Sequence, residues 1–99
     1  MKLIIAIVRP PTLDKIVVAL EDIENFPGIT ITDGEGFGRR LQTSAHDSLS
    51  PFKLKKQIEI AANDDMVEPI LTAIREHAHT GKKGDGIIMV LPVENGVLI

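Results

Sequence analysis

Two segments of the chain are apolar at nearly every position, and both predict strands that are apolar on both faces. The first runs from Leu3 to Arg9 and the second from Ile87 to Leu91. The first run suits a central strand covered on both sides rather than an edge strand. Arg9-Pro10-Pro11 ends the first run far short of the length of a membrane span. We therefore interpret it as a buried strand.

Two other segments have apolar residues at helical spacing and predict amphipathic helices. Thr12 precedes the first and Asn63-Asp64 precede the second, where each could cap the helix start. Pro27-Gly28 is expected to end the first helix. The first apolar stripe consists of Leu13, Ile16, Val17, Leu20 and Ile23, and the second of Val67, Ile70, Leu71, Ile74 and Ala78.

The region between the two helices predicts two strands joined by a loop. Ile29 to Thr32 alternates between apolar and polar residues and leads into a glycine-bearing stretch, residues 34–38. Lys53 to Ala62 alternates as well, with Leu54, Ile58 and Ile60 on one face and Lys55, Gln57 and Glu59 on the other. Residues 41–51 are mainly polar and are expected to form an exposed connection.

The predicted order is strand, helix, strand, strand, helix, strand, which indicates a ferredoxin-like α+β fold, βαββαβ. We expect an antiparallel sheet with two helices on one face, and a single domain over residues 1–99. The first and last strands would then leave aliphatic surface on the face without helices. Self-association is the expected cover, although a small monomeric core would also explain the pattern.

Composition narrows the possible partners. The net charge is -3 and phenylalanine supplies every aromatic residue, so we expect no nucleic-acid partner. Because the first apolar run is too short to span a membrane, we expect no membrane insertion either. The absence of cysteine excludes disulfides, thiol catalysis and thiolate metal sites. It is compatible with a reducing compartment, and a cytoplasmic location is the expectation.

The segment from Thr80 to Gly86 is the main candidate for ligand binding. It contains three glycines, two lysines and an aspartate between a predicted helix and a predicted strand. Glycines permit φ > 0 conformations that turn main-chain N–H groups toward an anion, and lysines add charge. The alternative is an ordinary helix C-cap and turn. The segment is not a P-loop, because no Gly-Lys-Ser/Thr follows it.

Candidate metal and catalytic groups are weaker. His77 and His79 are two positions apart on a predicted helix and therefore point in different directions, while His46 lies in the polar connection. We predict no metal site. Asp64-Asp65 is better explained as favourable charge at a helix start than as a catalytic pair. We predict no catalytic residues and no enzyme activity.

Five ordered segments resemble the PII family of nitrogen-regulatory signalling proteins. They are Lys2 to Pro10 with Leu13-Asp14-Lys15, then Gly28-Ile29-Thr30, Gly36-Phe37-Gly38-Arg39, Ile58-Glu59-Ile60 and Thr80 to Gly86. The resemblance implies a non-enzymatic homotrimer of ferredoxin-like subunits that binds adenine nucleotides in clefts between subunits. It also implies a long loop, residues 40–53 here, that docks on a regulated transporter or metabolic enzyme.

The resemblance assigns expected roles to individual positions. Two sets of residues match the family's ligand positions: Ile7, Gly28, Thr30, Gly36, Gly38 and Arg39 for adenine, ribose and phosphate, and Gly84, Asp85 and Gly86 for a loop backbone facing the phosphates. A guanidinium such as that of Arg39 gives a phosphate a fixed fork of donors.

Several positions depart from the family pattern. Ile87 replaces the lysine that usually follows Gly-Asp-Gly, and Leu98 replaces an arginine, while a second arginine would fall beyond Ile99. Each missing charge-assisted hydrogen bond is worth about 1.5 to 3 kcal/mol. ADP or AMP is therefore the expected ligand, with ATP weak or absent. Arg40 replaces a glutamine that helps to organise magnesium and 2-oxoglutarate in the family. This difference leaves open whether the protein responds to 2-oxoglutarate.

Two alternatives remain on the sequence alone. A structural or interaction trimer could keep the scaffold without ligand control. A CutA-like metal-tolerance protein would share the ferredoxin-like trimer and would draw on the histidines for its metal site. Tyrosine is absent from the chain, so uridylylation of a loop tyrosine is excluded.

Overall fold

The computed structural model describes residues 1–37 and 52–99, and these residues confirm the ferredoxin-like α+β prediction. Four strands within them form an antiparallel sheet in the order β2-β3-β1-β4. The elements are β1 (Lys2–Val8), α1 (Leu13–Glu21), β2 (Thr30–Gly36), β3 (Lys53–Ala62), α2 (Val67–Ala78) and β4 (Gly86–Pro92).

The core lies between one face of the sheet and the two helices. Ile4, Ala6 and Val8 alternate along β1 and are fully buried, as the period of two requires for a strand covered on one face. Their partners on β3 and on the inner stripes of the helices are buried too: Ile58, Ile60, Ala62, Ile16, Leu20, Ile70, Ile74 and Ala78. The aliphatic core expected from the sequence is therefore present.

The opposite face of the sheet carries apolar side chains that neither α1 nor α2 covers. We call this surface the open face. Ile5 lies beside Met89 in the sheet register, and Ile7 lies beside Ile87. Ile87 is 54% exposed and Met89 is 38% exposed. This arrangement agrees with the apolar residues predicted on both faces of the first and last strands.

The helix starts differ from the expected side-chain caps. Each helix is preceded by a 3-10 turn, Pro10–Thr12 before α1 and Asp64–Met66 before α2. The Thr12 hydroxyl donates instead to the Arg9 carbonyl at 2.8 Å, and Asn63 makes no side-chain cap. The cap predictions were wrong because the tighter turns continue directly into the helices.

Two element boundaries also differ from the prediction. α1 ends at Glu21 rather than at Pro27-Gly28, and Asn25 then adopts a φ of 63° in the following turn. β2 continues through the glycine stretch to Gly36, because Gly36 pairs with Lys53 in the β3 ladder. Strand pairing here outweighs the low strand propensity of glycine.

The topology gives the subunit two distinct ends. The upper end comprises residues 8–14, 33–37, 52–56 and 78–86, where β1, β2 and α2 finish and β3 and β4 begin. The lower end comprises residues 20–30, 61–68 and 92–99 with the start of β1. Within residues 1–37 and 52–99, no helix has the length and apolar character needed to cross a membrane.

Candidate functional site

The loop from Thr80 to Gly86 forms part of the upper end and uses its glycines for their backbone freedom. Gly81, Gly84 and Gly86 have φ values of 85°, 85° and 137°. A Cβ on Gly86 would lie 2.0 Å from the Ile7 carbonyl oxygen. The backbone of β4 therefore lies very close to that of β1 where β4 begins. The left-handed conformations expected of this loop are therefore present.

The loop folds around its own carboxylate. The backbone N–H groups of Thr80 and Gly81 donate to Asp85 Oδ2 at 2.7 and 3.2 Å. The Thr80 hydroxyl donates to Asp85 Oδ1. Two loop amides that were expected to face a ligand anion thus already bind the carboxylate of Asp85. Asp85 shapes the loop, and its side chain is only 19% exposed.

These hydrogen bonds keep Asp85 ionised. The Thr80 hydroxyl and then the Thr80 backbone N–H lower the pKa of Asp85 to about 2, with smaller contributions from Arg9 and Gly81. Burial opposes them, because it penalises the charged form. The carboxylate is therefore a fixed negative charge at neutral pH.

Two cations converge on the same loop from the ends of neighbouring strands. Arg9 donates from Nε to Asp85 Oδ1 at 3.1 Å and from Nη2 to the Lys83 carbonyl at 2.6 Å. Lys55 on β3 donates from Nζ to the Gly84 carbonyl at 3.3 Å. Neither residue was predicted from the sequence as a ligand group. The position of Arg9 directly after an apolar strand is the sequence feature that could have identified it.

The proximity of these cations has an electrostatic consequence. Burial lowers the pKa of Lys55, and the positive charge of Arg9 lowers it further, while Asp85 raises it in part. Two like charges held together create a position where an added anion would relieve their repulsion. The N–H groups of Lys83 and Gly84 make no hydrogen bond within the described residues and adjoin this position.

The predicted ligand residues fall into two groups in a single chain. Gly36 and the loop from Gly84 to Gly86 lie at the upper end, and Ile7 lies beside Ile87 one position from Gly86. Gly28 and Thr30 lie at the lower end, where β2 begins. Gly38, Arg39 and Arg40 lie outside the described residues, as does most of segment 40–53.

The two groups are too far apart for one small ligand. Thr30 and Gly36 are separated by six residues of extended strand, which span about 20 Å at 3.3 Å per residue. A single site containing both groups requires the upper end of one copy and the lower end of another.

A groove of about 770 Å³ lies on the helix side of the loop, between α2 and β4. Val8, Ala78 and Ile88 contribute apolar surface, while Arg75 on α2 and His79 just after it add polar groups. Its volume suits a small organic molecule, yet it faces away from the open face.

His77 near the end of α2 and His79 just after it lie in different surroundings. His79 Nδ1 is 3.6 Å from Asp85 Oδ2, whereas His77 lines a shallow groove with Asp14 and Asp22 of α1. Among residues 1–37 and 52–99, no three His, Cys, Asp or Glu side chains come together as a metal would require. His46 is outside these residues. Asp64 pairs with the amino group of Met1 at 3.2 Å.

Comparisons with known proteins show the family to which the chain belongs. The family profile described as nitrogen regulatory protein P-II matches residues 1–99. Nitrogen regulatory protein P-II of Azospirillum brasilense is 41% identical over the whole chain and 91% of the relative, and that of Bradyrhizobium diazoefficiens is 40% identical with the same coverage. Nitrogen regulatory protein GlnK2 of Haloferax mediterranei is 34% identical over 99% of this chain and 82% of the relative. The chain therefore belongs to the nitrogen regulatory protein P-II family.

Proposed function

We propose that this protein is a non-enzymatic, trimeric signal-transduction protein of the cytoplasm that responds to an adenine nucleotide or another small anion. The ligand occupies clefts between subunits, and segment 40–53 contacts a regulated transporter or metabolic enzyme. Family membership supports a nitrogen-regulatory role. The main support for a cleft between subunits is the separation of Thr30 from Gly36 along β2. A single ligand site that includes both residues then needs two copies of the chain.

The open face supports the trimer. Ile5, Ile7, Ile87 and Met89 form adjoining pairs on the side of the sheet that has no helices. Burial of such side chains is worth roughly 25 cal/mol per Å², so subunit association gains substantially from covering them. In a closed ring of identical subunits, the upper end of each copy also meets its neighbour through the same repeated contact.

The charges around the loop support a small anion with few phosphates. Arg9 and Lys55 adjoin the amides of Lys83 and Gly84, but two of the Arg9 donors are already used within the loop. Ile87 adds an exposed aliphatic side chain where a further cation would stand in related proteins. ADP or AMP therefore fits this position better than ATP.

Isothermal titration calorimetry with ATP, ADP and AMP, each with and without magnesium, tests this proposal. We expect ADP or AMP to bind at least about tenfold more tightly than ATP, which corresponds to about 1.4 kcal/mol. Ile87→Lys places a cation next to Gly86 and is expected to favour ATP, and light scattering must show that this variant stays trimeric because Ile87 also lies on the open face. Val18→Lys adds the same charge to an exposed position on α1 and serves as the matched control.

Absence of heat with all three nucleotides would contradict nucleotide binding and would favour a trimer without ligand control. Light scattering on the same samples tests assembly separately. A mass of one subunit at micromolar concentration would contradict the trimer.

A further inference from the structure

Arg9 lies directly after β1 and holds two groups of the ligand loop with one side chain. Its Nε donates to Asp85 Oδ1 at 3.1 Å, and its Nη2 donates to the Lys83 carbonyl oxygen at 2.6 Å. The guanidinium also lies close to the loop backbone, because a Cβ on Gly84 would be 3.4 Å from Arg9 Nη2. The two acceptors belong to the residues on either side of Gly84, so both contacts act on the same short piece of backbone.

The contact with the Lys83 carbonyl fixes the direction of the next amide. Lys83 and Gly84 are joined by a trans peptide bond, since no cis peptide bond occurs among the described residues. In a planar trans peptide, the C=O and N–H bonds point to opposite sides of the chain. The Gly84 N–H therefore points away from the Arg9 guanidinium, and it makes no hydrogen bond within residues 1–37 and 52–99.

Glycine makes this peptide easy to turn unless another group holds it. Gly84 has a φ of 85°, and glycine adopts positive and negative φ values about equally well. If the Lys83–Gly84 peptide turned over, it would present its carbonyl oxygen where its N–H now points. An N–H group stabilises a nearby anion, whereas a carbonyl oxygen repels it. The orientation of this one peptide therefore decides whether the loop favours or opposes an anion on that side.

The other cation on the loop backbone holds a different peptide. Lys55 donates from Nζ to the Gly84 carbonyl oxygen at 3.3 Å, which belongs to the peptide that follows Gly84. A lysine ammonium is a point charge on a flexible stem, whereas the planar guanidinium holds two acceptors at a fixed angle. Arg9 is therefore the better suited of the two to fix the orientation of the Lys83–Gly84 peptide.

We propose that Arg9 is a positioning residue that holds the Lys83–Gly84 peptide so that the Gly84 N–H faces the phosphate of a bound adenine nucleotide. The inference rests on the proposed function, because it takes the loop backbone as the part of the site that meets a phosphate. Arg9 acts through the loop backbone and through Asp85, its second anchor. The alternative is a direct contact between guanidinium and phosphate, which would depend on charge and not on the planar fork.

Two substitutions of Arg9 separate positioning from charge. Arg9→Lys keeps the charge but loses the planar fork, whereas Arg9→Gln loses both. In calorimetry with ADP, each variant should bind about tenfold more weakly than the wild type. Lys2→Gln removes a charge at the opposite end of β1 and should bind like the wild type. Wild-type affinity in Arg9→Lys would overturn positioning and would indicate a contribution from charge alone.

A double-mutant cycle tests whether Arg9 acts through the loop. Asp85→Asn weakens the second anchor of the guanidinium. Because both changes loosen the same backbone, Arg9→Lys combined with Asp85→Asn should lose clearly less ADP affinity than the product of the two single losses. Losses that simply multiply would overturn an action of Arg9 through this loop.

Nuclear magnetic resonance measures the peptide orientation without any ligand. The residual dipolar coupling of the Gly84 N–H reports its direction relative to the subunit. This coupling should change in Arg9→Lys, while the couplings of β1 and β3 amides stay the same and show that the fold is intact. An unchanged Gly84 coupling would overturn the proposal. If the wild type bound no nucleotide, the proposed ligand would fail, and the Gly84 coupling would still decide whether Arg9 sets the peptide orientation.

Discussion

Gly86 joins the ligand loop to β4, and its replacement by alanine should destabilise the protein strongly. Two separate effects act at this position. The φ of 137° is rarely adopted by residues with a side chain, and an added Cβ would lie 2.0 Å from the Ile7 carbonyl oxygen. Strained backbone costs about 1 to 3 kcal/mol, and the backbone displacement forced by the clash adds to it. We expect a total loss of about 4 kcal/mol in the free energy of unfolding.

Two other glycines separate these effects. Gly81→Ala meets no atom within 4 Å but has a φ of 85°, so it should cost only about 1 to 2 kcal/mol from strain. Gly34→Ala lies within β2, has an ordinary φ and meets nothing within 4 Å, so it should change stability by less than about 1 kcal/mol.

Urea unfolding followed by circular dichroism measures the series. All variants should be compared at one protein concentration, because the stability of an oligomer depends on it. If Gly86→Ala were no less stable than Gly81→Ala, the close approach between β1 and β4 would add nothing to the cost of the substitution. A changed m-value would indicate altered unfolding rather than altered stability.

Three further predictions concern the loop charges and the open face. The folded-state pKa of Asp85 is lowered to about 2 from 3.8, so its stabilising contribution is present above about pH 4 and is lost as the pH falls toward 2; Asp85→Asn should remove this dependence in acid unfolding curves. Lys55→Gln should weaken nucleotide binding in calorimetry by about tenfold, while Lys2→Gln leaves it unchanged. Met89→Lys should dissociate the trimer in light scattering, and Val18→Lys should not. Unchanged affinity in the Lys55 variant, or an intact trimer with Met89→Lys, would contradict the corresponding interpretation.

The hydrophobic pattern predicted the secondary structure well wherever burial decides it. The β3 strand runs from Lys53 to Ala62 as expected, because alternate residues enter a core that admits only one register. Helix ends were less predictable. α1 stops at Glu21 although apolar spacing continues to Ile23, because Ile23 packs against the core from a turn.

The ligand loop shows why sites are harder to predict than elements. Its glycines indicated left-handed backbone, which the φ values of Gly81 and Gly84 agree with. Asp85 turns inward mainly through hydrogen bonds from Thr80 and Gly81 within the loop, but its ion pair with Arg9, 76 positions away along the chain, could not be derived from the sequence. Lys55 reaches the loop from a third element for the same reason. Such contacts depend on tertiary structure and leave no local periodicity in the sequence.

The division of the candidate site between two subunits can be measured with mixed trimers. Lys55→Glu changes the upper-end group and Thr30→Glu changes the lower-end group, and each variant alone should bind no ADP in calorimetry. After co-refolding of equal amounts, about one quarter of the clefts should combine an unaltered upper end with an unaltered lower end. ADP binding should therefore return at about that stoichiometry. Failure of the mixture to bind ADP, although the wild type binds it, would contradict a site formed by two subunits.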